Sequence, residues 1–196
     1  APYGSSKTFL DFINAVQSND LARVNLLIKG GANLESKDNN GYTALMSAAR
    51  NGHKYIVEAL LDKGANVDTA DRNGDTALIL AARIGHKDIV KALLDKGAND
   101  NQAGRNGDTA LMYAAQNGHK DIVEALVEAL LDKGASVDKA DRDGDTALIL
   151  AAYHGHADIV EALLGKDGID VNHANNNGDT ALIWAARNGH TDIVKA

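Results

Sequence analysis

Five histidines recur at one position of a repeated pattern and could supply ligands for a transition metal: His53, His86, His119, His156 and His190. Two ligands of one zinc ion must each lie about 2 Å from it, whereas packed helices lie about 8–10 Å apart. Histidines spaced like stacked helices therefore cannot share one metal ion. We interpret them as structural, each forming a hydrogen bond across the turn that follows a glycine, and we expect neither a metal site nor a cofactor.

Acidic and amide side chains alternate in the same pattern, which is a feature of calcium-binding loops: Asp71, Asn73 and Asp75 in one copy, and Asp141, Asp143 and Asp145 in another. An EF-hand loop needs glycine at its sixth position and glutamate at its twelfth. Counted from Asp141, those positions hold Thr146 and Ala152. The alternation is therefore better explained as turn chemistry, in which the first Asp binds its own backbone and a glycine takes the left-handed position.

Catalytic motifs are missing from the sequence. It contains no Gly-x-Ser-x-Gly, no phosphate-binding P-loop and no His-Glu-x-x-His. Ser47 is a lone serine, and a catalytic site needs different residue types that converge on one pocket. Here the polar residues repeat along a line, so we predict that the chain is not an enzyme.

Composition narrows the possible functions further. The 196 residues include no cysteine, which excludes disulfides and cysteine-bound zinc. Their net charge of −7 disfavours binding to nucleic acid. No apolar run approaches the ~18 residues typical of a membrane span. We expect a soluble protein with no membrane contact, and a cytoplasmic location is slightly favoured. The abrupt end at Ala196 suggests a fragment or a shortened repeat.

Repetition is what organises these residues. A glycine precedes each Thr-Ala-Leu triplet at positions 41, 74, 107, 144 and 178, with gaps of 33, 33, 37 and 34 residues. A period of this length is typical of stacked helical repeats. In the copy at 71–103, Thr76 is a suitable N-cap for a first helix that Gly85 ends, and a second helix carries an apolar stripe up to Gly97. Each unit is therefore predicted to be turn, helix, turn, helix and loop.

The predicted domain is one continuous array. Residues 1–6 are expected to form a leader, and 7–37 a degenerate first repeat. Terminal repeats are commonly atypical because one face has no neighbour. Further repeats are placed at 38–70, 71–103, 104–140 and 141–174, followed by a partial repeat at 175–196.

The repeated motif is Gly-x-Thr-x-Leu-x-x-Ala-Ala-x-x-Gly-His-x-x-Ile-Val-x-x-Leu-Leu-x-x-Gly-Ala, and over residues 7–196 it resembles the ankyrin repeat. The resemblance implies an all-α solenoid of stacked helix-turn-helix units with β-turn hairpin loops. One feature departs from the family, in which Thr-Pro-Leu-His is common. Here an apolar residue stands where that histidine would be, so the Thr–His hydrogen bond of the family is absent: Met46, Ile79, Met112, Ile149 and Ile183.

The fourth repeat contains a tandem tetrapeptide, Val-Glu-Ala-Leu at 123–126 and again at 127–130. Four residues add about 6 Å and slightly more than one helical turn, so the apolar stripe nearly keeps its phase. A longer second helix is therefore predicted. The duplication could be neutral, or it could bend the array and shape a binding surface. We expect a discontinuity in stacking between the fourth and fifth repeats.

Sequence differences between repeats indicate where a partner could bind. Asp71–Leu94 and Asp141–Leu164 agree at 19 of 24 positions, and two adjacent differences fall at the end of the first helix. In the ankyrin family, this helix face and the hairpin turn line a concave groove. Carried over to this chain, the resemblance gives the candidate partner-binding residues Tyr42, Arg50, Asp75, Leu80, Arg83, Ile84, Asp108, Tyr113, Gln116, Asp145, Leu150, Tyr153, His154, Trp184 and Arg187.

Within this set we expect Leu80, Tyr113, Tyr153, His154 and Trp184 to anchor a partner, with arginines at the rim, because Tyr, Trp and Arg are enriched at binding hot spots. An alternative for Leu80, Leu150 and Trp184 is that they are core residues at helical spacing. Alanine substitutions that strongly reduce stability would favour that alternative.

The sequence thus predicts a non-enzymatic scaffold that binds a protein partner through the concave face. A designed or consensus-like scaffold without a natural partner is the alternative, since the repeats are nearly identical. A binder of small ligands or nucleic acid is disfavoured by the acidic composition and the lack of a pocket signal. We expect a monomer, although an uncapped last repeat could pair with another copy through Ile193 and Val194.

Overall fold

The computed structural model describes residues 5–196 and shows helices arranged in consecutive pairs. The first three pairs are α1 (Ser5–Gln17) and α2 (Leu21–Lys29), α3 (Ala44–Asn51) and α4 (Lys54–Asp62), and α5 (Ala77–Ile84) and α6 (Lys87–Asp95). The next three are α7 (Ala110–Gln116) and α8 (Lys120–Asp132), α9 (Ala147–Tyr153) and α10 (Ala157–Leu164), and α11 (Ala181–Arg187) and α12 (Thr191–Lys195).

Apart from one isolated β-bridge between Ala103 and Thr109, the residues that the structure describes contain no β-structure. This confirms the predicted fold class, an all-α array of repeated helix pairs. Residues 1–4 of the expected leader lie outside the described part of the chain. Ser5 and Ser6 belong to α1, so the first helix begins within the segment that the sequence assigned to the leader.

Contacts divide the chain into two compact units. The first consists of the residues up to Ala81 together with Asp88–Asn99, and the second of Ala82–Lys87 and Asp100–Ala196. Within each unit the helix pairs stack on their neighbours: α1 packs on α3 in the first, and α9 packs between α7 and α11 in the second.

The repeated threonine starts the first helix of the second to sixth pairs, as the sequence predicts. In the 71–103 repeat, the backbone N–H of Ile79 donates to Oγ1 of Thr76 at 3.3 Å, and the same bond joins Ile149 to Thr146. A side-chain acceptor at this position satisfies one of the N–H groups that a helix start leaves without a partner. Gly85, with φ of +105°, ends α5 in the left-handed conformation.

Alanines and branched aliphatic residues form the core. In the fifth repeat, Ala151 and Ala152 of the first helix and Ile159 and Val160 of the second are buried. Small residues on the first helix let neighbouring helices approach closely, and the second helix adds branched aliphatic side chains to the core. The stripe predicted at helical spacing therefore forms the interior of each repeat.

The duplicated tetrapeptide lengthens α8 to 13 residues without a break, which confirms the longer helix. Its apolar stripe remains in phase, since Leu126, Val127 and Leu130 are all buried. Hydrogen bonds between the hairpins also keep their register. The backbone N–H of Arg142 donates to the carbonyl of Asn106 at 3.0 Å. One repeat later, the backbone N–H of Asn176 donates to the carbonyl of Asp143 at 2.9 Å in the same way.

These bonds do not show the expected discontinuity between the fourth and fifth repeats. The hairpins and first helices stack there as they do between the fifth and sixth. Because the insertion adds close to one full turn, the extra length is accommodated along the second helix, where Leu131 becomes exposed.

Candidate protein-interaction surface

Three aromatic side chains meet where the end of α9 lies beside the middle of α11, in the second unit. The rings of Tyr153 and Trp184 pack edge to face with their centroids 4.7 Å apart. The His154 ring lies edge-on to Tyr153, with the centroids 4.9 Å apart. Tyr153 remains 42% exposed, and Trp184 is half-buried. We call Tyr153, His154 and Trp184 the aromatic cluster.

A cation flanks the cluster on α11. The Arg187 guanidinium carbon lies 5.3 Å from the centroid of the Trp184 ring, within the range of a cation–π contact. The same guanidinium forms a 3.0 Å ion pair with Asp179, a hairpin carboxylate whose side chain is nearly buried. The hairpin therefore fixes the arginine beside the indole, which makes Arg187 a well-placed rim residue.

A similar arrangement joins the third and fourth repeats. The Arg83 guanidinium carbon lies 4.0 Å from the centroid of the Tyr113 ring. The Tyr113 hydroxyl donates to Oδ2 of Asp108 at 3.3 Å. Three of the predicted residues, from two repeats, are thus in contact within the second unit.

In the first unit, two predicted residues form a separate pair. The Arg50 guanidinium carbon lies 5.6 Å from the centroid of the Tyr42 ring. Arg50 is exposed and Tyr42 is half-buried, so both present surface there.

Two predicted contact residues need correction, because they are buried. Leu80 is only 2% exposed, which supports the core alternative for this residue, and Asp75 is buried beside its hairpin. With so little of its side chain accessible, Leu80 cannot anchor a partner in this conformation. Ser47, the lone serine, is buried as well.

The other predicted residues remain at the surface to different degrees. Ile84 and His154 are exposed, whereas Gln116, Asp145 and Leu150 are half-buried. The candidate surface is therefore narrower than the sequence suggested, and its exposed aromatic part lies in the second unit.

Hydrogen bonds reveal a structural role for one position on this helix face. Side-chain Nδ2 of Asn117 donates to the carbonyl of Arg83 in the preceding repeat at 2.8 Å, and Nδ2 of Asn188 donates to that of Tyr153 at 2.9 Å. His154 occupies the same position in the fifth repeat, where the sequence places histidine instead of asparagine. These asparagines are thus stacking residues, a role that the sequence alone does not distinguish from binding.

The repeated histidines complete this arrangement. Nε2–H of His119 donates to the Arg83 carbonyl at 3.1 Å, and that of His190 donates to the Tyr153 carbonyl at 3.2 Å. The Arg83 and Tyr153 carbonyls therefore each accept two hydrogen bonds, one from an asparagine and one from a histidine of the next repeat. The equivalent carbonyl, of Gln116, accepts from His156 at 2.8 Å. It receives no second bond from His154, which stands where the fourth and sixth repeats have the asparagine donor.

His154 has instead turned toward other rings. Its ring stacks on that of His156, with the centroids 6.3 Å apart and an interplanar angle of 21°. Partial burial, together with the nearby charge of His156, lowers the pKa of His154. At neutral pH the residue is therefore an uncharged aromatic group that extends the apolar part of the cluster.

A buried amide connects the hairpins of the fifth and sixth repeats. Asn175 stands where Asp141 stands one repeat earlier, and its Nδ2 donates to Oδ1 of Asp145 at 2.8 Å. Burial raises the pKa of Asp145; the bond from Asn175 partly opposes this, while neighbouring carboxylates, including Asp179, add to it. The exchange of Asp for Asn was visible in the sequence, but the contact that it makes depends on the stacking.

A family model described as ankyrin repeats (3 copies) matches residues 12–104, 68–132, 98–175 and 125–196. The chain belongs to the ankyrin repeat family. The resemblance seen in the sequence is thereby confirmed. No curated protein matches the chain.

Ankyrin repeats are in general protein–protein interaction modules, and the family is typically non-enzymatic. Among the described residues, no group of three or more His, Cys, Asp or Glu side chains is arranged to hold a metal ion. None of the helices in this part of the chain combines the length and apolar character needed to cross a bilayer.

Proposed function

We propose that this ankyrin repeat chain is a non-enzymatic scaffold that binds a protein partner through the first-helix face of its second unit. The aromatic cluster is the observation that carries the proposal. It combines an exposed tyrosine, an uncharged histidine and a half-buried tryptophan with an adjacent arginine. Of these residue types, Tyr, Trp and Arg are the ones enriched at binding hot spots.

Two features favour binding over a purely structural role for the cluster. His154 stands where Asn117 and Asn188 each bond to the preceding repeat, so the fifth repeat lacks that stacking bond and has an aromatic surface in its place. Tyr153 exposes a large part of its ring although its backbone carbonyl supports the next repeat. The exposed part of the ring is accessible to a partner.

The surrounding charges support a partner of a particular kind. Asp108 and Asp145 lie on the hairpins of the same unit, and the chain as a whole carries a charge of −7. A negative field speeds the approach of partners with basic patches.

The decisive experiment is affinity capture from cells that express the protein, using the wild type and two folded variants. The first variant changes Tyr113, Tyr153, His154 and Trp184 to serine. The matched control changes Leu26 and Tyr55, exposed residues on second helices, to serine. Circular dichroism verifies that both variants fold.

The expected result is a protein captured by the wild type and the control but lost from the first variant. With purified partner, the loss in affinity should reach at least about 30-fold, equivalent to about 2 kcal/mol for a hot spot. Capture that survives the first variant and fails with the control would place binding on the second helices. Capture by none of the three would favour a designed or consensus-like scaffold without a natural partner.

A further inference from the structure

Three of the first helices, α3, α7 and α11, end at an Asn-Gly pair, a sequence that can lose ammonia without an enzyme: Asn51-Gly52, Asn117-Gly118 and Asn188-Gly189. In this reaction the backbone nitrogen of the glycine attacks the side-chain carbon Cγ of the asparagine. Glycine permits the attack because it has no Cβ to block the close approach. Asn51 and Asn188 lie in identical Arg-Asn-Gly-His sequences, so any difference in their reactivity comes from the structure.

Exposure to solvent does not distinguish the three asparagines, since all of them are exposed. The attacking nitrogen does not distinguish them either. The backbone N–H of Gly52 donates to the Ala48 carbonyl, and that of Gly189 donates to the Ala186 carbonyl at 3.3 Å. In both places the end of the helix must open before the nitrogen can attack, and helix ends open at low cost.

The side-chain amides are what separate them. Nδ2 of Asn117 and Nδ2 of Asn188 each donate to a carbonyl of the preceding repeat, at 2.8 and 2.9 Å. These bonds must break before Cγ can turn toward the glycine nitrogen. Among the described residues, Asn51 forms no side-chain hydrogen bond, and the carbonyl at the equivalent place, of Gln17, accepts from His53 at 3.3 Å instead.

We propose that Asn51 is a deamidation site of the folded chain and reacts faster than the other two helix-end asparagines. The Gly52 nitrogen loses its proton and bonds to Cγ of Asn51, the Cγ–Nδ2 bond breaks, and Nδ2 leaves as ammonia with that proton. Water then opens the cyclic imide at either carbonyl, which gives aspartate or isoaspartate. This inference goes beyond the proposed function, because it concerns a covalent change in the first unit.

The product alters the end of α3. A carboxylate at residue 51 stands at the C-terminal end of the helix, where the helix dipole disfavours negative charge. In isoaspartate the main chain runs through the former side chain, which adds one carbon and displaces the Gly52 N–H from the Ala48 carbonyl. The preceding residue is Arg50, whose guanidinium carbon lies 5.6 Å from the centroid of the Tyr42 ring. The reaction therefore adds a negative charge next to this pair.

Peptide mass spectrometry of the whole chain during incubation in mildly alkaline buffer measures the rate at each asparagine separately. In the folded protein, Asn51 should deamidate about 2- to 10-fold faster than Asn117 or Asn188, the factor that corresponds to the net contribution of one hydrogen bond. Both aspartate and isoaspartate should accumulate at residue 51.

The same incubation in guanidinium chloride is the matched control, since it removes the structure and keeps the sequence. Asn51 and Asn188 should then react at the same rate. In native buffer, Asn51→Gln should abolish the fast reaction at this position, because a longer side chain forms the cyclic imide much less readily. The rates at Asn117 and Asn188 should stay unchanged in this variant.

Equal rates at Asn51 and Asn188 in the folded protein, or a faster reaction at Asn188, would overturn the proposal, because the hydrogen bond would then give no protection. A difference that persists in denaturant would also overturn it, since the structure would not be the cause. Aspartate without isoaspartate at residue 51 would exclude the cyclic imide and with it the attack by Gly52.

Discussion

A methyl group added to Gly118 would lie 2.9 Å from Cε1 of His156, the histidine that bonds to the Gln116 carbonyl. The glycine of one repeat and the histidine of the next thus fit together as a stacking contact. Gly155 and His190 show the same relationship, with the added Cβ 2.6 Å from Cε1 of the ring. The Gly-His pair that recurs along the sequence therefore stabilises the junction between consecutive repeats.

Replacing Gly118 with alanine should destabilise the protein more than replacing Gly134. Both glycines have positive φ, +80° and +66°, so alanine at either costs about 1 kcal/mol in backbone strain. Only Gly118→Ala also displaces the His156 ring, and losing its bond adds about another 1 kcal/mol. An added Cβ at Gly134 meets nothing within 4 Å.

Urea unfolding of the two variants measures this difference directly. We expect Gly118→Ala to lose about 2 kcal/mol or more and Gly134→Ala about 1 kcal/mol. Equal losses would mean that the histidine ring moves aside without cost, and the proposed stacking role of the pair would then be wrong.

The period of the sequence was enough to predict the helix pairs, their threonine caps and their apolar stripes, because these depend on local chemistry. Thr76 capping α5 and the continuous α8 are examples. What periodicity could not assign was the partner of each polar side chain. Asn117 and His154 occupy one position in the repeat, yet one bonds to the preceding repeat and the other joins an aromatic cluster.

Burial on the first helix was equally hard to predict. Leu80 and Leu150 are leucines at the same position of their repeats, but Leu80 is buried and Leu150 is half-buried. The difference arises from the neighbouring repeats rather than from the leucine itself. Residues at a shared position therefore need the stacked structure before they can be assigned to core or surface.

Lys133 and Asp100 provide a prediction about an ion pair at a core position. Asp100 is 3% exposed and stands where other repeats hold Val67 or Val137. The Lys133 ammonium lies 3.0 Å from its carboxylate. Lys133→Met should cost about 1–3 kcal/mol, because it leaves a buried carboxylate without this partner. Asp100→Val should be neutral or stabilising, since an apolar side chain can replace a buried charge.

Lys96→Met is the matched control for this pair in chemical denaturation. Lys96 occupies the same position one repeat earlier and pairs at 3.2 Å with Asp62, whose side chain is 68% exposed. Exposed pairs contribute at most about 1 kcal/mol. A loss at Lys96 as large as that at Lys133 would show that burial of Asp100 is not the cause.

Asp145 should make the stability of the second unit depend on pH. Burial raises its pKa above that of the unfolded chain, so the folded state holds the proton more tightly. Its contribution to stability therefore falls as pH rises through the interval between the two pKa values. Asp145→Asn removes the buried charge and keeps an oxygen that can accept from Asn175.

We expect Asp145→Asn to be at least as stable as the wild type at pH 7 and to lose that advantage in acid, where the wild-type carboxyl is also protonated. Thermal unfolding from neutral pH to pH 3 follows the change. Asp167→Asn, in an exposed loop, is the control and should leave the wild-type profile in place. If Asp145→Asn is clearly less stable than the wild type at pH 7, burial of the charged carboxylate does not destabilise the fold and this prediction is wrong.

Replacing His154 with asparagine should stabilise the protein while weakening partner binding. Asparagine at this position can donate to the Gln116 carbonyl, as Asn117 donates to that of Arg83 at 2.8 Å. One such bond contributes about 0.5–1.5 kcal/mol, which corresponds to an increase in Tm of about 1–6 °C for a protein of this size. The same change removes one ring from the aromatic cluster, so affinity for the partner should fall.

The reverse exchange, Asn188→His, serves as the control because it removes the existing 2.9 Å bond to the Tyr153 carbonyl and should lower Tm. Opposite signs for the two exchanges in calorimetry would show that the fifth repeat gives up a stacking bond at His154, as expected of a residue retained for function at some cost in stability. If His154→Asn lowers Tm instead, the ring contacts with Tyr153 and His156 stabilise the fold more than the asparagine bond does. The histidine would then be a structural residue, and the proposed surface would depend on Tyr153 and Trp184 alone.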